Sequence, residues 1–449
     1  MTFTIISLFF ILILSYFTLG HNLSRPSVLY VLGFLLCALM ANNYEKGWGL
    51  DKMSPVTIFV LVGGALMFYL VELYYYRKHP QWLKGVNLAY EEFIPIKPFK
   101  LFLFLLFQIT AIVMMARSEM SYAMTDELSE AMATVSEDSK FEKIQISHPF
   151  YIQQPYNICM AARNIWCILL PFYLFQSKKY NSQKFLLGLN MLAGSLGTLV
   201  TGSRTNLLYD IIAIIIFGYI CFQYRINWRG GLFPRKITLV ITALAIIFSL
   251  SFAQLGYAIG RKENDNPITL IFAIYCGAQI KNLDDYIQYP FKQGNEAGLP
   301  AQYTLCGMYD SYQNRFEGVK GVRMNQPDLR FNSYGIYPLG NVYTTYFNYI
   351  LDFGIIGAVL VAGIMALICS FLYRKATTSA FWRTGYPNLW LVYFIYKVPG
   401  ACFLSFFANK FFEGVTLSGT LKTLLYWWII ILFLYGREKG VPSKMQEDI

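Results

Sequence analysis

The chain of 449 residues carries too little charge for a soluble protein. It is 56% hydrophobic and only 14% charged, against about a quarter charged in soluble domains. Its formal net charge is +11, but the basic residues are spread over many short polar segments, so nucleic acid is not expected as a partner. No segment is long and polar enough for a cytosolic catalytic domain, and no P-loop or dinucleotide fingerprint occurs, so work driven by nucleotide hydrolysis is not expected.

Repeated apolar runs of membrane-spanning length predict an all-α polytopic membrane protein. The first run lacks a basic n-region and a small-residue cleavage site, so we interpret it as a retained span. We predict one integral membrane domain, 1–449, with about 11 transmembrane helices at 2–19, 27–42, 56–75, 98–116, 155–176, 184–201, 205–223, 236–255, 354–373, 387–407 and 420–436.

Lysine and arginine cluster in every second connection between these spans. The clusters begin at Arg25 and recur around Arg77, Lys178, Arg225 and Arg374. The positive-inside rule makes this set of connections cytoplasmic. It predicts a multi-pass protein with its N-terminus outside and its C-terminus in the cytoplasm.

Two connections on the predicted outer side are long, which is typical of functional loops. The first, 117–154, is acidic, and the second, 256–353, is the largest polar segment of the chain. The second lies between spans 8 and 9 and lacks a long helical period. We expect its end, Val342 to Leu351, to lie along the membrane interface. A disulfide between Cys276 and Cys306 is a further hypothesis.

Several charged residues fall in or beside apolar runs, where an unpaired charge is costly and marks a functional site. Arg204 and Asp210 join two runs with almost no loop, and Arg163 and Lys397 lie inside others. Asp210 is the expected partner of Arg163. Pro399 and Gly400 follow Lys397, so we expect the helix to break or kink there.

Together with Lys410, the cations Arg163, Arg204 and Lys397 form a cationic set in the outer half of the predicted bundle. A cationic pocket reached from lipid suits a polyprenyl diphosphate, because arginine and lysine both bind phosphate oxygens. Structural ion pairing is the alternative for Arg163 and Lys397, and a snorkelling, ion-paired side chain is the alternative for Arg204. An acceptor hydroxyl would need a base, and Asp310, Asp352 and His148 are among the candidates. A role as a helix N-cap is equally open for Asp352. No cysteine and histidine spacing indicates a metal site.

Short motifs resemble those of the O-antigen and capsular repeat-unit polymerases of the Wzy type. They are Thr201-Gly-Ser-Arg204-Thr and Gly340-Asn-Val-Tyr343 leading into Asp352-Phe-Gly354-Ile-Ile-Gly357. The span count and the dominant outer loop also fit. The paired Arg-x10-Gly motifs of some members are absent, and Arg323 with Gly335 misses that spacing by one residue.

The resemblance implies a glycosyltransferase at the outer face of the bacterial plasma (inner) membrane. Such enzymes transfer a growing glycan from undecaprenyl diphosphate onto a newly flipped, lipid-linked repeat unit. Arg204 and Arg163 would neutralise the leaving diphosphate, and a carboxylate, Asp352 or Asp310, would activate the acceptor. The substrate-binding candidates are Lys397, Arg323, Arg330, Lys410 and Asp210.

Implied partners are undecaprenyl-diphosphate-linked oligosaccharides, membrane lipid, a chain-length regulator and a flippase; no cofactor is expected. An O-antigen ligase uses the same donor, but those ligases resemble one another in an arginine and histidine pattern that the large loop here lacks. A lipid-linked oligosaccharide flippase is the alternative from another class. It is disfavoured because the chain shows no internal repeat.

Overall fold

A computed structural model describes fourteen α-helices and one small hairpin. The described residues are 1–79, 95–140, 146, 148–175, 180–202, 205–226, 228–235, 237–239, 241, 268–294, 298–313, 325–378, 387, 389–414 and 417–436. The helices are α1 Thr2–Thr18, α2 Pro26–Asn42, α3 Pro55–Lys78, α4 Pro98–Ala123, α5 Leu128–Lys140, α6 Phe150–Leu174, α7 Asn181–Gly197, α8 Thr205–Arg225, α9 Ile268–Gln288, α10 Cys306–Tyr312, α11 Thr345–Thr378, α12 Leu389–Phe403, α13 Lys410–Glu413 and α14 Leu417–Tyr435. The hairpin pairs β1 Asn332–Tyr334 antiparallel with β2 Tyr337–Gly340.

Among these residues, seven helical segments are long and apolar enough to cross a membrane. They are Pro55–Lys78, Pro98–Ala123, Phe150–Leu174, Asn181–Thr201, Thr205–Arg225, Thr345–Thr377 and Leu389–Phe406. Shorter apolar helices occupy Thr2–Thr18, Pro26–Asn42 and Gly419–Tyr435, where three further spans are predicted. The predicted span 236–255 lies mostly outside the described residues. The chain is therefore a helical, membrane-embedded protein, as the composition indicates.

Proline sets the start of three of these helices. Pro26, Pro55 and Pro98 each stand at the first helical position after a residue with extended backbone. Proline suits this position because its fixed φ is helical and its missing N–H has no partner there in any case. Before Pro55, the Ser54 hydroxyl accepts a hydrogen bond from the backbone N–H of Val56, an N-cap of the usual kind.

Consecutive connections meet at two ends of the helical bundle. At the first, which we call the Arg25 end, the Tyr373 hydroxyl near the end of α11 accepts from Asn22 Nδ2, and Tyr219 of α8 donates to the Gly231 carbonyl. At the second, the Asp352 end, Asp284 near the end of α9 accepts from the Ser54 amide.

Three expectations for the segment around the large loop are wrong. The 21-residue helix α9 lies inside it, and Gly277 of α9 packs against the backbone of Ala41 in α2. Tyr346 and Phe347 are buried rather than lying at an interface. Cys276 and Cys306 are free thiols, and burial raises the pKa of Cys306 above its ordinary value. Aromatic and small residues thus pack this segment against the bundle. The hydrophobic periodicity of the sequence does not reveal such packing.

Helix breaks also differ from expectation. The helix α12 continues through Pro399 to Phe403 and then forms a 3-10 turn, Leu404–Phe406, so of the expected break or kink, the break does not occur. The break occurs in α11 instead, where Gly354 has φ 68° and ψ −173°. Only glycine adopts this conformation readily. It separates an aromatic segment, 345–353, from the apolar span that follows.

Candidate functional site: buried charges around the start of α8

Arg163 and Asp210 form an ion pair inside the bundle. Arg163 lies in the middle of α6, and Asp210 lies in the second turn of α8. The Nε of Arg163 is 2.8 Å from Oδ1 of Asp210, and the two residues are only 7% and 3% exposed. The expected pairing is therefore confirmed. Each charge is stabilised by the other in a place where either alone would be costly.

The helix α7 completes the surroundings of this pair. The Ser195 hydroxyl donates to Oδ2 of Asp210 at 2.7 Å. On the other side, the Cys167 sulfur lies 3.9 Å from Oδ1. Side chains of α6 and α7 thus hold the carboxylate of α8. Sequence reasoning missed Ser195, because a lone serine on an apolar helix carries no signal.

Lys397 is the second buried cation, and its surroundings differ from those of Arg163. It lies in α12 and is 7% exposed. Its Nζ donates to the Lys410 carbonyl oxygen at 3.2 Å and lies 5.6 Å from the centre of the Phe411 ring. Within the described part of the chain, no carboxylate lies within 4 Å of Nζ.

The two cations lie on either side of the start of α8. Tyr209 packs against α12 so closely that a Cβ added at Gly400 would lie 2.2 Å from Cδ1 of the tyrosine ring. The next residue, Asp210, points to Arg163 of α6. Trp427 of α14 joins the same helices, because its Nε1 donates to the Ala161 carbonyl and its ring contacts that of Tyr396 at 5.5 Å. The packing of α8 thereby places both charges in one region.

A chain of hydrogen bonds connects Lys397 to the large loop. The Asp352 carboxylate accepts from the backbone N–H groups of Tyr303 and Thr304 at 3.1 and 2.5 Å. Asn409 donates to the Thr304 carbonyl at 2.9 Å and accepts from the Phe412 amide. Asn409 precedes α13, whose first residue supplies the carbonyl that Lys397 contacts. Asp352 is therefore not an N-cap of its own span but an anchor for the loop.

The remaining candidates do not all converge on this region. Asp310 is buried and accepts from the backbone and side-chain nitrogens of Asn325, each at 2.9 Å. Lys410 forms a partly exposed ion pair with Glu413 at 3.0 Å. Arg330 is exposed with its guanidinium 4.3 Å from the Phe291 ring. Arg204 and Arg323 lie outside the described residues.

Another polar cluster surrounds His148, a candidate base from the sequence. His148 lies 3.3 Å from a carboxylate oxygen of Glu119 and 2.8 Å from the Ser118 hydroxyl, so it joins the acidic loop to α4. Asn409 could have been found from sequence, since asparagine is a preferred N-cap before a short helix.

Over the described ranges, no group of three or more histidine, cysteine, aspartate or glutamate side chains could hold a metal ion.

Comparison with known proteins found no relative, so the site is described from its geometry. No family model, no curated protein and no solved structure matches the chain.

Proposed function

We propose that the chain polymerises undecaprenyl-diphosphate-linked oligosaccharide repeat units at the outer face of the bacterial plasma membrane. The observation that carries this proposal is Lys397. Its side chain is a buried ammonium group in an apolar helix. Among the described residues, its one hydrogen-bond partner is the backbone carbonyl of Lys410. An ammonium has three N–H donors, so two are left for a ligand. A charge at such a position is a functional site by default.

An anionic lipid headgroup meets the requirements of this position. A diphosphate carries several acceptor oxygens and more than one negative charge, and its polyprenyl tail remains in the bilayer beside the helices. Neutralising an ammonium in a low-dielectric surrounding stabilises it far more than the same contact in water. The proposal therefore assigns Lys397 to the diphosphate of a lipid-linked glycan.

Arg163 supports the same assignment from the other side of α8. In the resting protein its charge is held by Asp210. The acceptor hydroxyl attacks the anomeric carbon of the donor glycan, the bond to the diphosphate breaks, and the acceptor loses its proton to a base. Negative charge then develops on the leaving diphosphate. Arg163, Lys397 and, under this proposal, Arg204 stabilise that charge, which is the largest catalytic contribution in many transfer reactions.

The distribution of charge supports an outer location for the reaction. Several connections with lysine and arginine clusters lie at the Arg25 end. The positive-inside rule therefore assigns this end to the cytoplasm. Lys397, Asp352 and the large loop belong to the other half of the bundle. A flippase would deliver the repeat units there, and a chain-length regulator would be a further partner.

The test is deletion of the gene in the native host, followed by electrophoresis of the surface glycan. We expect single attached repeat units after deletion, restoration of the ladder by the unmodified chain, and no restoration by Lys397→Met or Arg204→Ala. Lys375→Met is the matched control, because Lys375 is exposed at the Arg25 end, and it should restore the ladder.

Other outcomes would assign another function. Polymer that accumulates on the lipid carrier without attachment would identify a ligase. Single units trapped on the cytoplasmic leaflet would identify a flippase. An unchanged ladder after deletion would contradict every function considered.

A further inference from the structure

The hairpin formed by β1 and β2 presents two exposed large apolar side chains, one just before β1 and one at its tip. Side chains alternate between the two faces of a strand. Asn332 and Tyr334 face the bundle, where Asn332 donates to the Asp285 carboxylate at 2.7 Å and the Tyr334 ring lies 4.5 Å from Nζ of Lys281. Phe331, just before β1, is 69% exposed, and Ile336 at the tip is 88% exposed.

This exposure is fixed by the anchoring of the hairpin. A two-stranded hairpin is only marginally stable by itself in water. Here Lys281 and Asp285 of α9 form an ion pair at 2.7 Å beneath it. At the far edge, the Tyr337 ring packs against Gly47 and Tyr44. The hairpin is held against the bundle, and the apolar tip points outward as a consequence.

The position of the hairpin is continuous with the lipid-facing surface of the protein. Its partner, the 43–54 turn, also binds the start of α1, because Glu45 forms an ion pair with the amino group of Met1 at 3.1 Å. From there α1 exposes a row of large apolar side chains: Phe3, Ile6, Phe9, Phe10, Ile13 and Phe17. In a membrane-embedded protein, such a row faces lipid. The hairpin therefore lies next to the point where lipid contact begins.

Charge around the hairpin fits an anionic surface. Lys46 and Lys52 are exposed on the 43–54 turn, and Lys292 and Arg330 are exposed beside the strands; the same turn also exposes Asp51. Basic residues beside apolar side chains are the usual composition of segments that lie at a bilayer surface.

We propose that the outer face of this hairpin docks on the bilayer surface. Phe331 and Ile336 enter the headgroup region, and the four basic side chains bind the phosphates of anionic lipids. A glycan is a poorer occupant, because the most exposed side chain, Ile336, has no ring on which a sugar could stack. The proposal requires only that the chain is embedded in a membrane and does not depend on the glycan chemistry.

The experiment places an environment-sensitive dye on the tip. Ile336→Cys is labelled with a nitrobenzoxadiazole maleimide in nanodiscs of phosphatidylcholine and phosphatidylglycerol that contain a doxyl-labelled lipid. Glu137→Cys, on the exposed side of the acidic helix α5, is the matched control. The native cysteines are buried or half-buried, and the unmodified chain measures their background labelling.

We expect lipid quenching at position 336 to exceed that at position 137 about threefold or more, with weaker quenching by aqueous iodide. Phe331→Cys should behave like Ile336→Cys, since both exposed apolar side chains are proposed to enter the headgroup region. Equal lipid quenching at 336 and 137, with full access of iodide to both, would overturn the proposal. So would a dye response that requires added lipid-linked glycan, or one that appears only with two copies of the chain per disc.

Discussion

At the scale of single residues, the structure separates two kinds of buried cation. Arg163 is neutralised by Asp210 at 2.8 Å, whereas Nζ of Lys397 contacts a carbonyl oxygen at 3.2 Å. Breaking a buried ion pair by removing one partner is costly, while removing both partners can be nearly neutral. A buried lysine without a carboxylate is destabilising in the empty protein, so its removal should not weaken the fold. The two residues therefore make opposite predictions about stability.

Removing one charge of the Arg163–Asp210 pair should destabilise the protein. We expect Arg163→Met and Asp210→Asn each to cost about 3 kcal/mol, because the partner is left buried and unpaired, and the double variant to regain most of that loss. Thermal unfolding in detergent measures the stability, and in vitro glycan polymerisation measures the proposed activity. A double variant that is both stable and fully active would show that the pair is purely structural.

Replacing Lys397 should leave folding intact and abolish function. We expect Lys397→Met to be at least as stable as the unmodified chain and to lose roughly 100-fold or more in polymerisation rate, the usual effect of removing a group that stabilises developing charge. The rate with purified lipid-linked repeat units is the measurement. Lys410→Met provides a comparison: because Lys410 is half-exposed and paired with Glu413, its effect on stability should stay within about 1 kcal/mol.

At the scale of elements, close packing of α8 on α12 and anchoring of the large loop position the site. Gly400 lets Tyr209 lie directly on α12. Asp352, just before the Gly354 break, holds the backbone at 303–304. Both features depend on contacts between segments that are far apart in the chain, and each can be tested separately.

A methyl group at Gly400 should push α8 away from α12. The added Cβ would lie 2.2 Å from the Tyr209 ring, so we expect Gly400→Ala to destabilise the protein by about 1–3 kcal/mol. Tyr209→Ala should relieve part of this loss when the two are combined. Thermal unfolding of both single variants and the double variant gives the coupling, and strictly additive losses would contradict the contact.

Asp352→Asn should loosen the large loop locally. An amide oxygen replaces one of the two carboxylate acceptors, and its NH2 group faces a donor, so about 1–3 kcal/mol of local stability should be lost. Hydrogen exchange at residues 303–312 should rise, while exchange in α4 stays unchanged. If activity falls without any change in exchange, Asp352 acts on the acceptor hydroxyl and not through the loop.

At the scale of the whole molecule, the topology across the membrane is a prediction from the distribution of basic residues along the chain. The positive-inside rule supplies the direction. We expect a green fluorescent protein fused after Gly436 to fluoresce, because it folds in the cytoplasm. Alkaline phosphatase fused after Gly414 should be active, because it requires the outer side. An inactive phosphatase at 414 together with an active one after Arg225 would reverse the orientation and move the proposed reaction to the cytoplasmic face.

The sequence by itself determined the class of the protein and most helix positions. Apolar runs of about 20 residues have few alternatives to a membrane helix. The pairing of Arg163 with Asp210 could be predicted because each charge had few other neighbours in apolar surroundings. The prolines that begin α2, α3 and α4 act locally, so these helix starts can be identified from the sequence.

Only the tertiary structure decided what surrounds each polar group. Arg25, which the sequence places in a cytoplasmic connection, is fully buried beside Glu72 and the Tyr373 ring. The helix α9 was missed because its polar residues, such as Asp284, bond to the 54–57 region of α3 instead of facing water. Hydrogen bonds between distant segments leave no periodic signal in the chain. For that reason the link from Asp352 through Asn409 to Lys397 could not be derived from sequence, whereas the helices that carry these residues could.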